Sequence, residues 1–101
     1  MAIYTNITTS PATTTLIAKD SRRSGNIRKI TIANFSDDTG DATVNVFLQN
    51  ASAVDYYFCK NVRIPKGATL VLNNNLAFNS DTYSLKMYST GTSPALTVMI
   101  K

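Results

Sequence analysis

The stretch Leu96-Thr97-Val98-Met99-Ile100 sets Leu96, Val98 and Ile100 at every second position, with Thr97 and Met99 between them. That is the spacing of a strand with one face in a core and one outside, because successive side chains on extended backbone point to opposite faces. The same reading extends up the chain. Tyr83, Leu85 and Met87 alternate with Ser84 and Lys86, and Val62 and Ile64 with Asn61 and Arg63. Leu70 and Leu72 flank Val71, while Val44, Val46 and Leu48 alternate with Thr43, Asn45 and Phe47. Ile30 and Ile32 alternate with Lys29 and Thr31, and Val54 to Cys59 forms a more continuously apolar run. Nothing in the chain shows the three-to-four spacing of a helix.

The residues between these runs are turn formers. Asp37-Asp38-Thr39-Gly40-Asp41, Pro65-Lys66-Gly67, Asn73-Asn74-Asn75 and Ser89-Thr90-Gly91-Thr92-Ser93-Pro94 all punctuate strands. In the second of these, Pro is expected at the second position of a tight turn, and the last is expected to close the final hairpin. Seven to eight strands at this spacing predict an all-β antiparallel sandwich, immunoglobulin-like or jelly-roll in topology. With 101 residues the chain is one domain's worth of sequence, 1–101. Residues 1–25 form either an N-terminal arm or a first hairpin from Ile3–Ile7 and Thr13–Ala18, the hairpin being favoured. The final strand, Ala95 to Lys101, is expected at a sheet edge.

Composition narrows the function. There is no His, and all six acidic residues are Asp. General acid–base catalysis near neutral pH normally uses His or a carboxylate with a raised pKa, and no motif here supplies a substitute, so an enzyme is disfavoured and no catalytic residue is assigned. Cys59 is the only cysteine, which excludes an intrachain disulfide. Set beside Tyr56-Tyr57-Phe58, it reads as a buried structural thiol. Asp37, Asp38 and Asp41, with Asn34 nearby, lack the spacing of a calcium loop, so a solvated turn is preferred and no metal or cofactor is expected. No run reaches the ~20 apolar residues of a membrane helix, and Met1 to Ile17 lacks the pattern of a signal peptide.

Ten basic residues against six acidic ones leave a net charge of +4. The densest patch is Arg22, Arg23, Arg28 and Lys29. A nucleic-acid site on a strand surface would interleave such residues with aromatics. The aromatics mostly lie elsewhere, so nucleic acid is disfavoured and the patch reads as a docking or solvated surface. The outward parity of the strands is more informative. It places Phe47, Val71, Tyr88 and Met99 on the faces away from the core, where large apolar side chains would mark a contact surface.

Val62-Arg63-Ile64-Pro65-Lys66-Gly67-Ala68-Thr69-Leu70-Val71-Leu72 followed by Phe78-Asn79-Ser80-Asp81-Thr82-Tyr83-Ser84-Leu85-Lys86-Met87, with Ile30-Thr31-Ile32-Ala33-Asn34 and Val44 to Leu48 before them, resembles a pattern in small β-sandwich virion proteins of tailed phages, marine and cyanobacterial ones especially. The resemblance covers about residues 26–101. It implies a non-enzymatic virion structural protein, assembled in the host cytoplasm: a capsid decoration or cement protein, or a neck, baseplate or fibre-attachment component. Its partners would be capsid or tail proteins and further copies of itself, a trimer being one natural solution. A rival expectation is a carbohydrate-binding module at the adsorption apparatus, with Tyr56, Tyr57 and Tyr88 lining a groove.

Overall fold

A computed structural model describes residues 3–9, 11–20, 25–35, 41–73, 76–91 and 95–101, without the side chains of 25, 26 and 76–78. They form ten strands: β1 (Ile3–Ile7), β2 (Ala12–Ile17), β3 (Gly25–Ile27), β4 (Ile30–Asn34), β5 (Ala42–Gln49), β6 (Asp55–Ile64), β7 (Thr69–Leu72), β8 (Leu76–Phe78), β9 (Ser84–Gly91) and β10 (Leu96–Ile100). Every pairing is antiparallel. Sheet 1 has the order β1-β10-β4-β7 and sheet 2 the order β2-β9-β5-β6, while β3 and β8 make a separate two-stranded ribbon. The fold is the expected all-β sandwich, with eight strands in its two main sheets.

The pairings are nested. β5 meets β6, β4 meets β7, β3 meets β8, β2 meets β9 and β1 meets β10. The chain therefore runs as one long antiparallel ribbon closed at the β5–β6 hairpin. Two lateral pairings, β10 with β4 and β9 with β5, close the wrapped ribbon into two sheets. That order is the jelly roll and not the immunoglobulin-like arrangement.

Three expectations about connections change with it. β1 and β2 lie in different sheets, as do β9 and β10, so neither pair is a hairpin; β1 is a strand of sheet 1 and not a detached arm. β10 sits between β1 and β4 instead of at an edge. The physical reason is shared: a turn signal reports that the chain reverses, not whether it reverses beside itself or crosses to the facing layer. The edges belong to β1 and β7 in one sheet and to β2 and β6 in the other.

The core follows from alternation. Ile30 and Ile32, Leu96, Val98 and Ile100 point inward from sheet 1, and Val44, Val46, Leu85 and Met87 meet them from sheet 2. Full burial of each such side chain contributes about 1.5–3 kcal/mol. Asn34 is buried among them because its Nδ2 donates to the Ile64 carbonyl at 3.0 Å, which ties sheet 1 to the end of β6. At Pro65-Lys66-Gly67 the Ala68 N–H donates to the Pro65 carbonyl at 3.0 Å. Pro65 is thus the first residue of that turn and not the second, and Gly67 takes the positive φ of +77° that the third position of a type II turn requires.

Candidate functional site

The two outer faces of the sandwich differ in kind. No residue of β1, β4, β7 or β10 is charged. Outward across sheet 1, Tyr4 pairs with Met99, Met99 with Thr31 and Thr31 with Val71; the next outward row is Asn6, Thr97, Ala33 and Thr69. Within it Thr97 Oγ1 and Asn6 Oδ1 lie 2.8 Å apart in a hydrogen bond. Tyr4 is 64% and Val71 46% exposed. The result is a surface of hydroxyl, amide and apolar groups. Tyr4 was not anticipated from sequence, although the alternation of Ile3, Thr5 and Ile7 implies it.

Sheet 2 carries all the charges of the sandwich strands: Lys86 on β9, and Asp55, Lys60 and Arg63 on β6. Its outer face holds a groove of about 420 Å³, lined chiefly by Tyr88, Asn45, Phe47, Gln49, Asp55 and Tyr57. β5 presents Asn45, Phe47 and Gln49 at every second position, and Tyr88 of β9 stands beside Asn45. The far wall depends on irregularities in β6. Opposite β5 the register shifts twice, so that Val44 faces Val62, Val46 faces Cys59 and Phe47 faces Tyr57. Lys60 and Asn61 are left together opposite Asn45, and Phe58 is a second extra residue. Each shift adds a residue and reverses the parity of the strand beyond it. This explains why 54–59 looked continuously apolar: two half-turns of side-chain direction are folded into one ten-residue strand.

The first bulge is fixed chemically. Asn61 has φ of +56°, a left-handed conformation that Asn tolerates better than most residues, and its N–H donates to Asn45 Oδ1 at 2.8 Å. Around the groove the polar groups form a relay: Lys86 Nζ donates to Gln49 Oε1 at 2.7 Å, and Gln49 Nε2 donates to Asp55 Oδ1 at 2.8 Å. Phe47 and Tyr57 have ring centroids 5.3 Å apart, and the Lys60 ammonium lies 5.0 Å from the Tyr57 centroid.

The four outward residues anticipated from sequence do not form one surface. Val71 and Met99 share the outer face of sheet 1, and Phe47 and Tyr88 that of sheet 2. Phe47 points outward as parity requires but is only 6% exposed, being covered by Tyr57 and its neighbours, so it is groove floor and not contact surface. Of the three tyrosines expected in a groove, Tyr57 and Tyr88 are there. Tyr56 packs edge-on against Tyr83, with centroids 6.1 Å apart, and is not in the lining.

Arg22 and Arg23 lie outside the described residues. Arg28 and Lys29 are exposed, and both backbone N–H groups donate to the Lys101 carbonyl. Of the acidic loop, Asp37 and Asp38 lie outside the described residues, Asp41 pairs with Arg63, and Asn34 is bound to Ile64. Cys59 is half-buried and packs against the core; burial pushes its thiol up, against a smaller opposing effect of the hydrogen bond with the Val46 backbone.

No family model and no curated protein matches the chain. Among solved structures, a chain of infectious bursal disease virus, Gt strain, is similar over the whole of this chain at 9% identity and a TM-score of 0.47. The chain spans 28% of the length of that protein.

Proposed function

We propose that this protein is a non-enzymatic structural component of a virus particle, and within that class a capsid decoration or cement protein of a tailed phage. A neck, baseplate or fibre-attachment position is the alternative placement. The reading rests chiefly on the uncharged outer face of sheet 1. A chain of net charge +4 repels its own copies and any basic partner. Interface cores are depleted of charge and enriched in Tyr and Met, and Tyr4, Met99 and Val71 stand on the face from which charge is missing. Support also comes from the sequence resemblance over residues 26–101, and from the jelly roll being a frequent shell-building fold, though fold alone never dictates function.

On this reading each copy meets capsid or tail proteins, and further copies of itself, through that face. A standard interface buries about 1,600 Å² in total, so a domain of this size would use several contacts, as in a trimer. The edges of β1 and β7 flank the same face and, among the described residues, carry no further strand, so a partner strand could add there.

The test is Val71→Lys, which sets an ammonium on the β7 side of the face without touching the core. We expect the variant to melt like the wild type, and its association to weaken at least tenfold by light scattering and by co-sedimentation with particles. A wild type that stays monomeric and ignores such particles would end the reading.

A further inference from the structure

The groove on sheet 2 has no part in that assembly role, since it lies on the opposite face of the sandwich. We propose that it is a binding site for a neutral carbohydrate of one to two sugar rings. Its volume of about 420 Å³ lies within the roughly 300–1,000 Å³ of small-molecule sites.

Its chemistry is that of an amphipathic ligand. A pyranose offers apolar C–H faces and a rim of hydroxyls that both donate and accept. Tyr88, 38% exposed, supplies an aromatic platform on β9. Tyr57 forms a second wall, its ring packed at a tilt against Phe47 and with the Lys60 ammonium over it. One row beyond Tyr57, on the side away from Tyr88, Gln49 and Asp55 are held by the Lys86–Gln49–Asp55 relay. Among the described residues Asp55 accepts one bond, on Oδ1, and its other carboxylate oxygen can accept from a sugar hydroxyl, the charge-assisted kind of hydrogen bond that is strongest.

The charges around the groove argue for neutrality of the ligand. Lys86 is committed to Gln49, Lys60 lies against Tyr57, and Asp55 opposes any anion. A phosphate or sulfate would meet the Asp55 carboxylate alongside those two ammonium groups. A cation would meet two ammonium groups. A neutral polyhydroxyl ring meets neither penalty. The side chains are also pre-set, since β5 and β9 are interior strands of the sheet and Asn45 locks the β6 bulge. Binding then costs little ordering.

The experiment is titration of the full chain, followed by backbone and side-chain amide NMR, with lactose, maltose, mannobiose and diacetylchitobiose. At least one should bind with a dissociation constant near or below about 1 mM, shifting the amides of Asn45 and Gln49 and the residues around Tyr88. Affinity should be unchanged between about 50 mM and 200 mM salt, where an anionic ligand on a basic site would lose much of its affinity. Tyr88→Ala and Asp55→Asn should each weaken binding about tenfold or more while sheet 1 signals stay in place. Val71→Lys should leave binding intact, which separates this site from the assembly face. Silence from all four sugars, shifts confined to another face, or full affinity in both groove variants overturns the proposal.

Discussion

Gly67 and Gly91 show how differently two glycines can be required. Gly67 has φ of +77° but open space where a Cβ would stand. Replacing it with Ala costs only the left-handed strain of an L-residue, about 1 kcal/mol. At Gly91 a Cβ would sit 2.7 Å from the Asp41 carbonyl oxygen and 3.2 Å from the Ala42 Cα, both of them backbone. The pairing of the end of β9 with the start of β5 depends on that close approach, and the contact can be relieved only by moving a strand. Gly91→Ala should therefore cost about 2–3 kcal/mol, as overpacking does, and lower Tm by about 8–24 °C, at roughly 4–8 °C per kcal/mol for this size. Thermal melts of the two variants side by side check the order. Equal losses would mean that the approach at Gly91 is not structurally important.

At the scale of elements, β6 is the strand whose irregularity makes the groove. Asn61 in the left-handed region and its bond to Asn45 hold Lys60 on the outer wall. Asn61→Gly keeps that conformation available and should change stability by no more than a few tenths of a kcal/mol. Asn61→Val asks a β-branched residue to adopt it and should cost at least 1–2 kcal/mol more than the Gly variant. Urea midpoints give the difference, and amide shifts at Asn45 report whether the bulge has slipped. A Val variant as stable as the Gly variant would show that the bulge is held by something other than backbone preference. The β5–β6 turn is built with similar economy, since Asn50 Oδ1 accepts from both Ser52 and Val54 N–H groups at 3.0 Å.

Over the whole molecule, nested pairing sets the folding order. Ile3 meets Ile100 across almost the entire chain, whereas Gln49 meets Asp55 across a short turn. Forming the ribbon from its hairpin outward closes one small loop at a time, while starting from the ends closes one very large loop first. Such non-local sheets fold in milliseconds to seconds. Val46→Ala, next to the hairpin, should chiefly slow refolding, and Val98→Ala, in β10, should chiefly speed unfolding. Stopped-flow chevrons distinguish the two, and a slower refolding limb for Val98→Ala alone would reverse the proposed order.

Alternation in 30–34, 44–48, 62–64 and 96–100 was enough by itself to determine strands, their buried faces and an all-β sandwich, because side-chain direction on extended backbone depends on local geometry alone. Composition likewise determined that no histidine, disulfide or acidic cluster of metal-loop spacing stands ready for chemistry. The outward direction of Phe47 was legible too, though only as parity. What the tertiary structure decided is which strands are neighbours. Turn residues at Pro65–Gly67 and Ser89–Pro94 carry no record of whether the chain reverses within a layer or crosses between layers. The jelly-roll order, the interior place of β10 and the absence of a first hairpin therefore rest on long-range pairing. The groove has the same origin. Tyr57, Asp55 and Tyr88 are brought together across three strands, and two extra residues in β6 reverse a parity that a one-dimensional pattern reads as continuous.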